Sequence, residues 1–369
     1  MIVGVADCHL GKSIKESDVE FQEDSFLALE RLYQQVITLK ASAVIFAGDV
    51  VDKSAATGAV SESLIKFIGG LLKKGVKTYF IQGNHDKQTE WHKRKVPLLA
   101  SFGAISLHKT LTDIDGVSVY GLDCQPFNKL KEELLSVPPC DLLVLHQSSA
   151  HLLHVKDAQE LFISDIPAHV KNVLVGDIHV FDLTALPSGG VVCSPGCLTA
   201  CKMNETGKAG SYSLISKNPK GQLNFVQGHI GCRKFLIQKL IAETTDQDLA
   251  TLCENVLKAV EAVGKNALLP KPVIDLQWTE GVEDKLIKAR RVLAASSNDI
   301  VIWETKENPS FTGFEMIMER PVFTKLTLTE ALPKIVSDKD VLSLCTLMLN
   351  AGIKSTAADS WLKERLSNG

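Results

Sequence analysis

The sequence has little net charge, no paired cysteines and no apolar run long enough to span a membrane. At −3 overall, it has no global pull toward nucleic acid. Any contact with a polyanion must come from local basic patches or from a partner. Nine cysteines are scattered without paired spacing, and an odd count in a long chain predicts reduced thiols and a cytoplasmic setting. The lack of a membrane-length run predicts no membrane partner. Residues 1–6 lead straight into a motif, without a basic start or a cleavage site, so they do not read as a signal peptide. There is no internal repeat and no low-complexity tract.

What is present is a globular composition, 45% hydrophobic and 22% charged, in a chain of 369 residues. That length exceeds one ordinary core and predicts two or more domains. The chain is organised around residues 44–52, Val-Ile-Phe-Ala-Gly-Asp-Val-Val-Asp. The run 44–47 reads as a buried strand, and Asp49 follows it after a glycine. Residues 2–6 and 77–82 read as further strands. Helical spacing over 21–40 (Phe26, Leu29, Tyr33, Val36, Ile37) and over 61–74 separates them. Strand and helix alternating at this distance predict βαβ units and an α/β fold. Strands at 104–107, 117–122, 142–145, 173–175, 191–193, 211–215 and 223–226 predict a second, antiparallel sheet. From residue 231 a small α/β unit follows, with strands at 234–241, 273–278 and 300–303 and helices at 246–263 and 283–295. Beyond Pro321 the pattern turns helical.

Five of these strands end in residues that bind metal: Asp7 and His9, Asp49, Asn84 and His85, His146, and Asp177 and His179. Each follows an apolar run, and α/β sheets gather such ends on one edge. Any one of them alone is more simply a polar turn residue; five in order are not. Carboxylates, imidazoles and an amide oxygen, with no thiolate, suit Mn²⁺, Mg²⁺, Zn²⁺ or Fe²⁺ rather than a structural zinc site. The set is large enough for two ions bridged by Asp49, the arrangement that clamps both oxygens of an in-line phosphoryl displacement.

Asp7-Cys8-His9-Leu10-Gly11, Gly48-Asp49-Val50-Val51-Asp52, Gly83-Asn84-His85-Asp86, His146 and Gly176-Asp177-Ile178-His179 resemble the motif series of calcineurin-like metallophosphoesterases. The first motif looks like that of the SbcD branch, the nuclease subunits of SMC-like DNA double-strand-break repair complexes in cells and phages. The resemblance implies a layered β-sandwich flanked by helices over residues 1–230, an α/β capping domain over 231–327, and a helical tail over 328–369 that binds the ATPase coiled coil. It implies one ion held by Asp7, His9, Asp49 and His179 and a second held by Asp49, Asn84, His146 and Asp177, with Mn²⁺ favoured and Mg²⁺ the alternative. His85 and Asp52 would be catalytic, His85 stabilising the transition state or protonating the leaving oxygen. The implied activities are 3′-to-5′ exonuclease on duplex ends and endonuclease on single strands. The partners would be DNA and an SbcC-type SMC-like ATPase, in a homodimer near the nucleoid or in a host cytoplasm.

The family reads Gly-His-x-His where this chain has Gly176-Asp177-Ile178-His179. The carboxylate adds charge and hardness, which favours Mn²⁺ or Mg²⁺. Ser194-Pro195-Gly196-Cys197 resembles the family's last phosphate-side loop, with cysteine in place of serine. Lys87, Lys93, Arg94 and Lys95 follow the Asn84-His85 motif and could hold a DNA backbone, although such runs are commonly solvated. Lys285, Lys288, Arg290 and Arg291 form a second patch of the same ambiguity. Cys193, Cys197 and Cys201 do not fit a zinc pattern and read as buried thiols. Gly11-Lys12-Ser13 mimics the end of a P-loop, but Ala6 stands where that loop needs glycine. Two other functions stay open: a phosphodiesterase for small substrates such as cyclic nucleotides, and a scaffold without catalysis.

Overall fold

Parallel strands buried on both faces account for the first sheet. β1 (Ile2–Val5), β2 (Ala43–Ala47) and β3 (Lys77–Ile81) pair in parallel, with Val3 opposite Val44 and Phe46 opposite Phe80. Val3, Val5, Val44, Phe46 and Phe80 enter one core, whereas Ile2, Ala43, Ile45, Ala47, Tyr79 and Ile81 enter another. Side chains alternate across a strand, so both faces must be apolar, and the run at 44–47 is unbroken for that reason. The computed structural model describes residues 1–12, 21, 23–52, 58–88, 98–148, 161–202, 205–264, 270–296 and 300–306. Residues 1–306 form one unit. The tail expected at 328–369 lies outside the described residues.

One face of the first sheet packs on α1 (Asp24–Thr38) and on α2 (Gly58–Leu64). The latter runs on through a π-helical turn, Ile65–Gly69, into Gly70–Lys73. The other face packs on a second sheet. Its order is β5 (Leu111–Ile114), β6 (Val117–Gly121), β7 (Leu142–His146), β8 (Val173–Gly176), β10 (Val191–Pro195) and β9 (Phe181–Ala185). The outer face of this sheet is covered by Leu130 and Leu134 of α3 (Phe127–Leu134). The result is a helix–sheet–sheet–helix sandwich, the layered α/β class expected.

The second sheet is not antiparallel, contrary to expectation. β6, β7, β8 and β10 are parallel, and only the edge strands β5 and β9 run the other way. The hairpin of β11 (Ser211–Lys217) and β12 (Leu223–His229) leaves this sheet and joins the first through β1, with Val3 opposite Leu214. Strand periodicity reports that a segment is extended, not which neighbour it pairs with. The Asp115-Gly116 turn joins β5 to β6, whereas Ile105–Ser106 (β4) pairs with β3. β5 and β9 are half exposed and mix polar with apolar residues, so they carry no buried run.

After Gly231 a three-stranded parallel sheet follows, β13 (Phe235–Leu240), β14 (Val273–Trp278) and β15 (Val301–Lys306). It packs on α4 (Asp246–Gly264) and α5 (Glu283–Ser296) around Leu249, Leu252, Val256, Ile274 and Leu286. The basic residues of α5 mostly bind their own unit: Lys285 donates to the carbonyls of Ala242 and Thr244, Lys288 meets Asp246, and Arg290 meets Glu304. Arg233 fastens this unit to α1. Its Nε and Nη2 donate to Asp24 at 2.7 and 2.6 Å, and its guanidinium lies 4.4 Å over the Phe21 ring. Phe21 in turn packs 4.8 Å from the Trp303 ring. Breaking a buried pair strands the remaining charge. Arg233→Ala is expected to lower stability by about 3 kcal/mol, read as a lower urea midpoint.

Candidate metal centre

The carboxyl ends of β1, β2 and β3 in one sheet and of β7 and β8 in the other converge at one edge of the sandwich. The chain leaves these strands through an unusual backbone. Asp7, His9, Asp49 and Asp177 have φ of 52, 42, 50 and 79°. Left-handed geometry is rare for residues with a Cβ and marks positions that the surroundings over-determine. The Asp7 amide donates to the Gly48 carbonyl at 3.2 Å, and the His9 amide to the Asp49 carbonyl at 3.0 Å. Gly48 has φ of 88°, and a Cβ there would stand 2.3 Å from His146 Nδ1. At Gly83 a Cβ would stand 2.0 Å from Asp49 Oδ1. Both glycines leave the room that the functional side chains occupy.

The side chains meet closely. His146 Nε2 lies 3.4 Å from Asp49 Oδ2, 3.8 Å from Asp177 Oδ1 and 3.1 Å from Asn84 Oδ1. His9 Nε2 lies 3.9 Å from Asp7 Oδ1, 3.8 Å from Asp49 Oδ2 and 3.4 Å from His179 Nε2. His179 Nε2 is 3.7 Å from Asp7 Oδ1. His85 Nδ1 is 2.6 Å from Asp52 Oδ1, which leaves its Nε2 toward the cluster, 3.9 Å from Asp49 Oδ2. Asp49 Oδ1 also accepts the His85 amide at 2.8 Å. The structure thus brings together Asp7, His9, Asp49, Asp52, Asn84, His85, His146, Asp177 and His179, every described residue of the set read from the strand ends.

The electrostatics of this set call for neutralisation, by protons or by a cation. Asp7, His9, Asp49 and His146 are buried. Among the described residues, the ion-pair partners of Asp7, Asp49 and Asp177 are all imidazoles. Burial pushes the Asp7 carboxyl up to about 6, against the pull of His146, His179 and His9. Burial disfavours the charged form of His146 too, but the charge and hydrogen bond of Asp49 together with the charges of Asp7 and Asp177 outweigh it and raise His146 well above the ordinary histidine value. His146 Nδ1 donates to the Ala47 carbonyl at 2.8 Å, and His179 Nδ1 to Glu205 Oε1 at 2.9 Å. Both rings therefore turn Nε2 inward, where it carries either a proton or a lone pair for a metal. The ligand atoms of Asp7, Asp49 and His146 lie within 4.8 Å of one another, as do those of His9, Asp49 and His85. Hard oxygen and imidazole donors at this spacing fit divalent cations.

Residues 1–181 match the family model of the calcineurin-like phosphoesterases. The chain carries a calcineurin-like phosphoesterase domain. It is similar to the DNA double-strand break repair protein Mre11 of Methanosarcina acetivorans, at 26% identity over 248 residues, 64% of this chain and 39% of that one. The Mre11 of Methanosarcina mazei matches at 27% identity over 248 residues, with the same coverage. The Mre11 of Nanoarchaeum equitans matches at 31% over 86 residues, 23% of this chain and 24% of that one. The matched stretch thus spans about two fifths of the Methanosarcina relatives. A dimetal phosphatase structure from Danio rerio superposes with a TM-score of 0.40 at 12% identity, over 62% of this chain and 98% of that one. The phosphoesterase domain implies divalent metal ions, and the donor clusters above are where this chain could hold them.

Around this cluster lie groups that the strand-end reading missed. Glu205 holds His179 with one oxygen and accepts the Cys201 and Lys202 amides with the other, at 2.7 and 3.1 Å. Ser148 donates its hydroxyl to Asp177 Oδ2. Asp86 accepts the Val51 amide at 3.0 Å and the Gly83 amide at 2.9 Å, tying the turns after β2 and β3 together. Its carboxyl is pushed up to about 6 by burial and then by the Asp49 charge. Of the expected DNA contacts, Lys87 donates to the Cys124 carbonyl, and Lys93, Arg94 and Lys95 lie outside the described residues.

Two outcomes follow from these contacts. Glu205→Ala frees the His179 ring and is expected to weaken divalent-cation binding about 10–100-fold by equilibrium dialysis. An unchanged affinity would remove Glu205 from the centre. A cation on Asp7 must also displace a proton that leaves at about pH 6. As pH falls through that value, Asp7 takes up the one proton that the cation must displace. Affinity is therefore expected to drop about tenfold per pH unit in calorimetric titrations below it.

Proposed function

We propose that the chain is a dinuclear-metal-dependent DNA nuclease, a 3′-to-5′ exonuclease on duplex ends and an endonuclease on single strands, working with an SMC-like ATPase as a homodimer. The observation that carries this reading is the convergence of carboxylates, imidazoles and an amide at the ends of five buried strands, in a phosphoesterase domain similar to Mre11 proteins. One cation, Mn²⁺ by preference, would sit among Asp7, His9, Asp49 and His179. A second would sit among Asp49, Asn84, His146 and Asp177. Bound there, the cations would neutralise charge on the phosphodiester and acidify the attacking water.

The remaining steps belong to the chain's own groups. Asp52 fixes the His85 ring through Nδ1 and keeps Nε2 directed at the cluster. Protonated at Nε2, His85 donates to the oxygen that leaves phosphorus and then regains a proton from solvent. Ser148 holds the Asp177 carboxylate, and Glu205 holds the His179 ring, so both keep their orientation while substrate enters. Lys87 and the run of Lys93, Arg94 and Lys95 would contact backbone phosphates beside the site. The unit from residue 231 would cap the duplex, and 328–369 would bind the ATPase.

The test is hydrolysis of end-labelled duplex and single-stranded DNA by the purified chain with Mn²⁺ or Mg²⁺, with and without an SMC-like ATPase and ATP. Degradation is expected only with metal. Asp49→Ala should abolish it, and His85→Ala should lower kcat by about 10²–10⁴ while metal stays bound. Turnover of a small phosphodiester with no cleavage of DNA would replace this reading with a small-substrate phosphodiesterase. A chain that binds no metal and cleaves neither substrate would be a scaffold.

A further inference from the structure

One buried nucleophile at the centre has no part in the proposed hydrolysis. Cys201 is buried, and among the described residues its Sγ hydrogen-bonds to the Thr199 carbonyl, at 3.9 Å. The ligand atoms of His9, His179 and Cys201 all lie within 4.8 Å of one another. The sequence spacing of Cys193, Cys197 and Cys201 hides this, because the partners of Cys201 are imidazoles from distant turns. Glu205 organises the trio: one oxygen fixes His179 through Nδ1, and the other accepts the Cys201 amide at 2.7 Å. His179 therefore offers Nε2 on the side where His9 Nε2 stands, 3.4 Å away.

We infer that His9, His179 and Cys201 form a site for a thiophilic divalent cation, Zn²⁺ foremost, which competes with the hard cation at the centre. The inference rests on the reading of His9 and His179 as ligands there. Bonds of about 2.0 Å to nitrogen and about 2.3 Å to sulfur put tetrahedral donors roughly 3.5 Å apart. Seating the ion therefore requires these donors, now within 4.8 Å of one another, to draw in by about 1 Å at most. As the sulfur–metal bond forms, the thiol proton passes to solvent. Soft sulfur prefers Zn²⁺ or Cd²⁺ to Mn²⁺ or Mg²⁺, which bind through oxygen. Because His9 and His179 serve both sets, a zinc ion seated on Cys201 withdraws two imidazoles from the hydrolytic arrangement. Zn²⁺ then acts as an inhibitor of an enzyme that works with harder ions.

The test uses the full chain and reads the metal directly. Co²⁺ added to the protein should give a sulfur-to-metal charge-transfer absorbance in the near ultraviolet. Cys201→Ser and Cys201→Ala should both lose it, with far-ultraviolet circular dichroism confirming that each is folded. Cys197→Ser should keep it, because the Cys197 thiol is spent on the His179 carbonyl at 3.4 Å. In chelator competition the Zn²⁺ affinity of Cys201→Ser should fall about tenfold or more relative to its Mn²⁺ affinity. The inference is overturned if the band survives without Cys201, if it depends on Cys197 instead, or if the affinity ratio does not change. Failure of the nuclease reading looks different: wild type would cleave no DNA, whatever its Co²⁺ spectrum. Failure here leaves Mn²⁺ binding intact, with no Co²⁺ sulfur band that depends on Cys201.

Discussion

Acidic side chains drawn together out of water constrain everything near this centre. Asp7 and Asp49, both buried, and the partly exposed Asp177 stand around His146, His9 and His179, and no described lysine or arginine forms an ion pair with them. Buried carboxylates at such range repel and must be neutralised, by protons or by a metal. Holding them there takes a rigid frame, and the two packed sheets supply it. The left-handed turns at Asp7, His9, Asp49 and Asp177 are the local strain of that arrangement. The Asp86 carboxylate, which bonds the turns after β2 and β3, keeps the strain from relaxing.

The same frame explains why the centre is assembled from both sheets. Asp7, Asp49 and His85 follow strands of the first sheet, while His146 and Asp177 follow strands of the second. The interface between the sheets ends at the cluster, where Gly48 lets His146 of the second sheet press against the first. Metal binding would draw charges of both sheets to common ions, so binding and sheet packing reinforce each other. The unit carried by β13, β14 and β15 is fixed to α1 by a buried ion pair and stacked rings.

Much of this was legible in the sequence because buried parallel strands announce themselves. The unbroken apolar runs at β1, β2, β7 and β8 end at the residues that form the cluster, so strand ends alone located it. Edge strands were not legible: β5 and β9 are half exposed and lack such runs. Nor was the pairing of β11 with β1, because pairing is a long-range choice that local periodicity does not encode. Glu205 was missed for a related reason. It lies in a turn-rich loop, 26 positions after the His179 it orients, and nothing in its neighbours marks it. Ser148, two residues past His146, could have been suspected from its place on the same strand end. Only its contact with Asp177 gives it a role.

As proposed ligands, Asp177 and Cys201 would tune opposite sides of one cluster in opposite directions. A carboxylate in place of an imidazole at Asp177 makes the side shared by Asn84 and His146 harder and more negative. The thiol of Cys201, beside His9 and His179, makes the other side softer. Asp49 lies between the two, close to both His146 and His9, so a change of charge on one side is felt on the other. A cation that suits the Asp177 side therefore does not suit the Cys201 side equally well. On the proposed ligand sets, metal choice would thus be set by two neighbouring groups of unlike hardness on either side of Asp49, rather than by the ligand count of either.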